Sequence, residues 1–171
     1  MTHDRRRFLA LSALSLVGLA LPQVASARAY ATVWNGDEYP GSIVISVSER
    51  RLYLVTETGD ALVWPIAVGK EGRQWFGTTR ITHKAKNPTW RPTPRMLREN
   101  PRLPAVVGPG PKNPMGVAAL YLAHGTLRIH GTNAPRSIGR AASNGCFRMH
   151  NADVLELYRL VDAGAVVHVI D

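Results

Sequence analysis

The sequence predicts a single, mainly β domain with a few short helices and one long proline-rich loop. Three observations carry that reading. Short runs rich in β-branched and aromatic residues, bounded by turn residues, recur at 42–56, 61–68, 118–130 and 165–170. Eight of the twelve prolines fall between residues 88 and 114. About 144 residues follow an N-terminal leader of 27, enough for one core and too few for two.

The leader is read first. Asp4-Arg5-Arg6-Arg7-Phe8-Leu9 precedes an apolar run from Leu9 to Leu21 and a small-residue box, Ala25-Ser26-Ala27. That order reads as a twin-arginine export signal over residues 1–27, cleaved after Ala27 and delivering the domain to the periplasm. The run is broken by Ser12, Ser15 and Gly18 and falls short of the roughly 20 apolar residues a helix needs to span a bilayer. Residues 28–41 are a lead-in, and the domain proper is expected over 42–171.

Ser42-Ile43-Val44-Ile45-Ser46-Val47 and Arg51-Leu52-Tyr53-Leu54-Val55-Thr56 form the opening hairpin, joined by Ser48-Glu49-Arg50. A turn at Thr58-Gly59-Asp60 leads into Ala61 to Val68, where Pro65 removes a ladder donor and implies an edge strand or a bulge. Trp75 and Phe76 follow, as core caps or as a stacking surface for substrate. Through 88–114 the prolines stiffen the chain, while Trp90, Met96, Leu97, Leu103, Val106 and Val107 give it apolar anchors that a linker lacks. The segment therefore reads as an ordered loop over the sheet, with one helical turn at 96–100 after Pro94, walling or covering a cleft. A strand pair follows at 118–122 and 126–130, with His124-Gly125 as its turn. Asn151 is expected to cap a helix over 152–161 with Asp153 in its positive first turn, and Gly164 ends it before a last strand at 165–170.

Charge narrows the partners. The chain carries 21 Lys and Arg against 12 Asp and Glu, a formal +9; without the three arginines and one aspartate of the leader the balance is 18 to 11, or +7. Such a surface suits an anionic polymer, either nucleic acid or a wall bearing free carboxylates. Export, and the lack of a helix–turn–helix, zinc-finger or RNA-binding aromatic signature, argue against nucleic acid. A basic wall-binding domain without catalysis is the plainer alternative.

Chemistry concentrates at Ser143-Asn144-Gly145-Cys146-Phe147-Arg148, which holds the only cysteine. A lone cysteine cannot form an internal disulfide, and an idle exposed thiol is a liability in an oxidising compartment. Gly145 permits close backbone approach to a ligand, which a core position seldom needs. His130 stands 16 residues upstream, where an alternating run meets Gly131, so its imidazole belongs at the rim of a sheet and can serve the thiol as base. The remaining chemistries lack their signatures. No Cys-x-x-Cys, His-Glu-x-x-His or acidic cluster supports a metal, and Ser143 lies in no Gly-x-Ser-x-Gly elbow.

Ile129-His130-Gly131-Thr132-Asn133, Ser137-Ile138-Gly139 and Ser143 through Met149 together resemble the signature of the L,D-transpeptidase (YkuD-type) catalytic domain, a family of cysteine enzymes that cross-link peptidoglycan. The resemblance implies a β-sandwich or barrel-like fold over 42–171, no cofactor and no metal, a monomer, and stem peptides of the cell wall as substrate. It assigns Cys146 as the acylated nucleophile, His130 as its base and the Gly131 main-chain carbonyl as the orienting acceptor. It further implies an oxyanion site from the amides of Asn144, Gly145 and Cys146, pocket-shaping bonds from Ser143 and Asn133, and from Arg148 either a pair with a substrate carboxylate or a brace for the motif loop; Trp75, from its own chemistry, is a further candidate for substrate contact. His130 would take the thiol proton or hold a thiolate–imidazolium pair. Two departures stand out: Asn144 replaces the histidine often found before the Gly-Cys pair, and Gln74-Trp75-Phe76-Gly77-Thr78 replaces a Thr-Pro-x-Gly turn. The acyl acceptor, amine or water, separates 3–3 or 1–3 cross-linking from carboxypeptidase action, and attachment of an envelope protein is a further outcome of the same chemistry.

Overall fold

The computed structural model describes residues 29–171; the export signal expected at 1–27 lies outside the described residues. Strands β1 (Tyr30–Val33), β2 (Ile43–Ser46), β3 (Arg51–Val55) and β4 (Asp60–Pro65) open the domain, followed by the short β5 (Val68–Gly69) and the long β6 (Gly77–Lys86). Helix α1 (Pro94–Glu99) interrupts the proline-rich loop, and β7 (Ala118–Leu122) and β8 (Arg128–His130) complete the middle of the chain. A 3₁₀ turn at Pro135–Ser137, β9 (Ala141–Ser143), β10 (Phe147–Arg148), α2 (Asn151–Leu160) and β11 (Val166–Ile170) finish it. The mainly β expectation holds.

Nine strands form one hydrogen-bonded ladder in the order β1-β4-β3-β2-β11-β6-β7-β8-β10, with β5 and β9 as a separate parallel pair. The C-terminal strand β11 sits centrally, parallel to β2 and antiparallel to β6. Strand β6 joins the two halves of the sheet. Its first residues, Gly77 to Arg80, pair with β11, and Ile81 to Lys86 pair with β7, with an irregularity in register between Ile81 and His83. An extra residue at such a point bends a strand and raises its twist, which folds the sheet around a shared core. Ile43, Leu52 and Trp64 from one half and Leu120, Ile129 and Phe147 from the other are all buried in that core. Each such side chain contributes roughly 1.5–3 kcal/mol on burial.

Two parts of the chain differ from expectation. The lead-in at 28–41 contains β1, which pairs antiparallel with β4, so Pro65 terminates β4 and does not mark an open edge. Strand β6 was not anticipated because Gly77-Thr78-Thr79-Arg80-Ile81-Thr82-His83-Lys84-Ala85-Lys86 offers only Ile81 to the core. A ladder to β11 holds its first half and one to β7 its second, and Lys84 Nζ donates to the Tyr158 carbonyl at 3.0 Å and to that of Val161, satisfying the C-terminal end of α2.

The 88–114 segment is ordered, as its apolar anchors imply. Trp90 and Val107 exchange backbone bonds at 2.9 Å in each direction. Buried Asn113 donates to the carbonyls of Pro88 (2.6 Å) and Gly108 (3.0 Å) and accepts from the Met115 amide (2.8 Å). Thr93 caps α1, its hydroxyl accepting from the Met96 amide at 3.3 Å. Asn113→Ala would leave these buried groups unpaired, and a loss of about 2–3 kcal/mol is expected in denaturant unfolding, together with faster proteolysis within the loop.

Candidate active site

Parallel pairing of β10 with β8 builds the site. Phe147 lies opposite Ile129 and Arg148 opposite His130. Side chains alternate along a strand, so Phe147 and Ile129, both buried, occupy the core face. Arg128, His130, Cys146 and Arg148 are left to the other face. Cys146, His130, Arg128 and Asn144 line one cavity of about 450 Å³ whose far wall comes from the 88–114 segment, including Trp90, Arg91 and Met96. The long loop thus covers the site, as its anchors suggested.

The turn that presents the thiol is held from within. Ser143, buried, donates its hydroxyl to the Cys146 carbonyl at 2.5 Å and accepts from the Gly145 amide at 3.0 Å. Gly145 has φ +126°, and a Cβ there would lie 3.2 Å from the Arg73 carbonyl, so a side chain is excluded on two counts. The Asn144 side chain accepts from the Arg73 guanidinium, which also pairs with Glu99 at 2.8 Å. One arginine therefore ties the cysteine turn to helix α1.

His130 is held as firmly. Its Nδ1 meets the Gly131 carbonyl at 2.5 Å, so this nitrogen carries the proton and Nε2 is left as the basic atom. The Gly131 amide donates to Ala118 at 3.0 Å, and the next amide, of Thr132, donates to Asn151 Oδ1 at 3.0 Å. A Cβ on Gly131 would lie 2.3 Å from that Asn151 oxygen. Asn151, expected as a helix cap, is instead the first residue of α2, with His150 in the cap position. Asn151→Ala is expected to free the Thr132 amide and loosen the carbonyl that orients His130. Reaction rate should fall with little change in KM, and Asn151→Asp should recover part of it because its carboxylate still accepts.

Burial lowers the His130 imidazole from its ordinary 6.5 to about 4, with Arg148 and Arg128 adding to the effect and the Gly131 carbonyl opposing it. Burial also raises the Cys146 thiol, against the pull of Arg128 and Arg148. Both shifts run toward the uncharged forms, thiol and neutral imidazole. The thiol points its hydrogen at the Thr126 carbonyl, 3.5 Å away.

The same burial marks stability. Between about pH 6.5 and 4 the unfolded chain protonates His130 and the folded one does not, so this group makes stability fall on acidification. Asp153, buried on α2, is raised from 3.8 to about 6, mainly by burial and then by Glu156; the folded state holds its proton first, so it makes stability rise as pH falls through that window. Relative to the parent chain, His130→Gln should gain thermal stability from pH 7 to 4.5 and Asp153→Asn should lose it, as thermal melts at several pH values would show.

Two residues expected in the pocket, Asn133 and Trp75, sit elsewhere, and Arg148 takes the bracing role of its two open readings. Asn133 donates to the Lys112 carbonyl at 2.9 Å and lines a different cavity with Asn87, Gly110 and Asn151. Trp75 stacks on His124 with ring centres 4.3 Å apart and packs against the core, so it caps the sheet and does not line the groove. Arg148 is half-buried and reaches Ser137 Oγ at 3.4 Å, bracing the 3₁₀ turn. Among the oxyanion candidates, Gly145 is corrected: its amide is already bonded to Ser143. Arg128 and the arginines of 91–98 went unnoticed in the sequence, where nothing in their spacing links them to residue 146. Among the described residues, no three His, Cys, Asp or Glu side chains come together as metal ligands.

With this geometry in place, comparison with known proteins is decisive. The family model for the L,D-transpeptidase catalytic domain (YkuD) matches residues 40–169. The chain belongs to that family. It is 41% identical over 138 residues to the probable L,D-transpeptidase ErfK/SrfK of Escherichia coli K12, covering 75% of this chain and 44% of that protein. It is 34% identical to a putative L,D-transpeptidase of Fuscovulum blasticum, covering 99% and 98% of the two chains. The catalytic domain of the E. faecium L,D-transpeptidase shares the fold with a TM-score of 0.60 at 18% identity, covering 79% of this chain and 100% of that one. The present L,D-transpeptidase-family chain thus spans less than half of ErfK/SrfK.

Proposed function

We propose that this protein is a peptidoglycan L,D-transpeptidase working through a cysteine acyl-enzyme. The observation that carries the reading is the placement of Cys146 and His130 on the polar face of the β8–β10 pair, opening into one groove, with Nδ1 of the imidazole engaged and Nε2 left as base. Nε2 takes the thiol proton as sulfur attacks the carbonyl of an L-residue whose neighbour is a D-residue. The Cys146 and Asn144 amides meet the tetrahedral oxyanion, a contact worth about 3 kcal/mol of barrier per donor. Collapse forms the thioester and breaks the carbon–nitrogen bond, and His130 returns its proton to the departing amine of the D-residue. An amine from a second stem then attacks the thioester, delivers its proton through His130 and frees the thiol. Ser143 holds the turn through each step.

Supplying defined tetrapeptide stems and resolving the products by mass spectrometry tests this. Dimers are expected, with the terminal D-residue lost per 3–3 cross-link or the stem fragment beyond the first residue lost per 1–3 cross-link, so the released fragment assigns the bond. Shortened stems without dimers would make the protein a carboxypeptidase, and linkage to an added envelope protein would make it an attachment enzyme. Binding to sacculi without any release of D-residue would leave only a basic wall-binding domain. The twin-arginine leader supports export to the periplasm, checked by fractionation with Arg5→Lys/Arg6→Lys, which should retain the protein inside.

A further inference from the structure

The groove that holds Cys146 is walled by more arginines than it has acids to pair them. Arg91, Arg95 and Arg98 come from the covering loop and α1, and Arg128 rises from β8. Arg95 and Arg98, three apart on α1, share a face. The acid beside them, Glu99, is held by Arg73 at 2.8 Å and Arg95 at 3.1 Å, and these two arginines keep its carboxyl below the usual carboxylate range. No acidic partner within 4.0 Å is found for Arg91, Arg98 or Arg128 among the described residues.

Arg128 is the best-defined of the three. Its guanidinium lies 5.1 Å from the Tyr121 ring centre and gives one Nη1 bond to the Thr126 carbonyl at 2.7 Å. Its Nε is buried without a partner. A buried guanidinium nitrogen without a partner, in a groove that the exposed Arg91 and Arg98 also line, gives an entering anion donors that no acid of the groove already holds. The planar fork of arginine fits a carboxylate by two parallel bonds.

We infer that Arg91, Arg98 and Arg128 form a carboxylate subsite that selects donor stem peptides whose internal carboxyl groups are free over those in which they are carboxamides. The inference rests on the transpeptidase reading of the groove and adds which donor it accepts. A carboxamide cannot accept the paired charge-assisted bonds and turns its own N–H groups toward the guanidinium donors, so it is refused by loss and by clash of donors.

Release of the terminal D-residue from matched tetrapeptide stems, one with free internal carboxyls and one with carboxamides, reads the donor step alone. The full chain should favour the free acid by roughly tenfold or more in kcat/KM, and the preference should shrink as salt is raised. Arg91→Gln/Arg98→Gln should bring the ratio near one by raising KM for the free-acid stem, and Arg91→Lys/Arg98→Lys should retain an intermediate ratio. Circular dichroism and the melting midpoint confirm that the variants stay folded. Equal rates on both stems in the parent chain, or a ratio that survives the double glutamine variant, would overturn the subsite while leaving the transpeptidase reading intact. Absence of any released fragment, terminal D-residue or longer stem piece, from either stem would instead overturn that reading and this inference with it.

Discussion

Cys146→Ala is expected to reduce cross-linking to background, a loss on the order of 10⁶-fold, because no other group in the groove can carry the acyl chain. The fold should survive. The thiol lines the groove, partly exposed, and its bond to the Thr126 carbonyl is long, at 3.5 Å. Thermal melting should therefore shift little while product formation vanishes, and binding to sacculi should persist, since the basic surface is untouched. Cys146→Ser tests the same point more narrowly: it keeps a hydroxyl of similar size but replaces the sulfur nucleophile with a much weaker one, so a large loss there isolates nucleophilicity from shape.

His130→Gln should cost about 10²–10⁴ in the acylation step, the range typical of a lost general base. The pH profile separates base from scaffold. With the imidazole at about 4 and the thiol raised, kcat/KM of the parent chain should climb through about pH 4 and then run level across neutrality, because both partners are already in the form the reaction needs. In the glutamine variant the residual rate should rise with pH through the range where the thiol ionises, since attack then depends on thiolate formed by solvent. A parent profile with its inflection near neutrality would favour a resting ion pair instead. Alkylation by iodoacetamide gives the companion measurement: Cys146 in the free protein should react slowly at pH 7 and faster as the raised thiol ionises.

How far the sequence reveals this site depends on what each residue faces. Strands β2, β3, β7 and β11 were legible because Ile43, Val44, Leu52, Leu54, Leu120, Val167 and Val169 put apolar mass into the core at close intervals. Strand β6 hid because Ile81 is its only buried residue, each half being held by a ladder to a different neighbour, and β1 hid because its four residues are too few and too exposed to show an alternating face. The Cys146 and His130 pair could be read from local chemistry alone: a lone thiol in a glycine turn and an imidazole at a strand end. Asn133 was misplaced because a residue near a motif in sequence need not face its groove, and it turns toward Lys112; Trp75, far from the motif, takes the core-cap reading of its two by stacking on His124. The arginine wall was illegible for the opposite reason. Residues 91–98 and 128 meet only after the proline-rich loop folds back around buried Asn113, a contact that no spacing rule anticipates.

The account stands on sulfur becoming covalently acylated by the stem peptide, and intact-protein mass spectrometry reads that directly. Incubating the protein with a tetrapeptide stem whose free amines are blocked, and quenching in acid, should give a mass increase equal to the stem without its terminal D-residue. Peptide mapping should place the increase on Cys146, hydroxylamine should remove it, and Cys146→Ala should never acquire it. An adduct on any other residue, or an adduct acquired by the alanine variant, would contradict the mechanism.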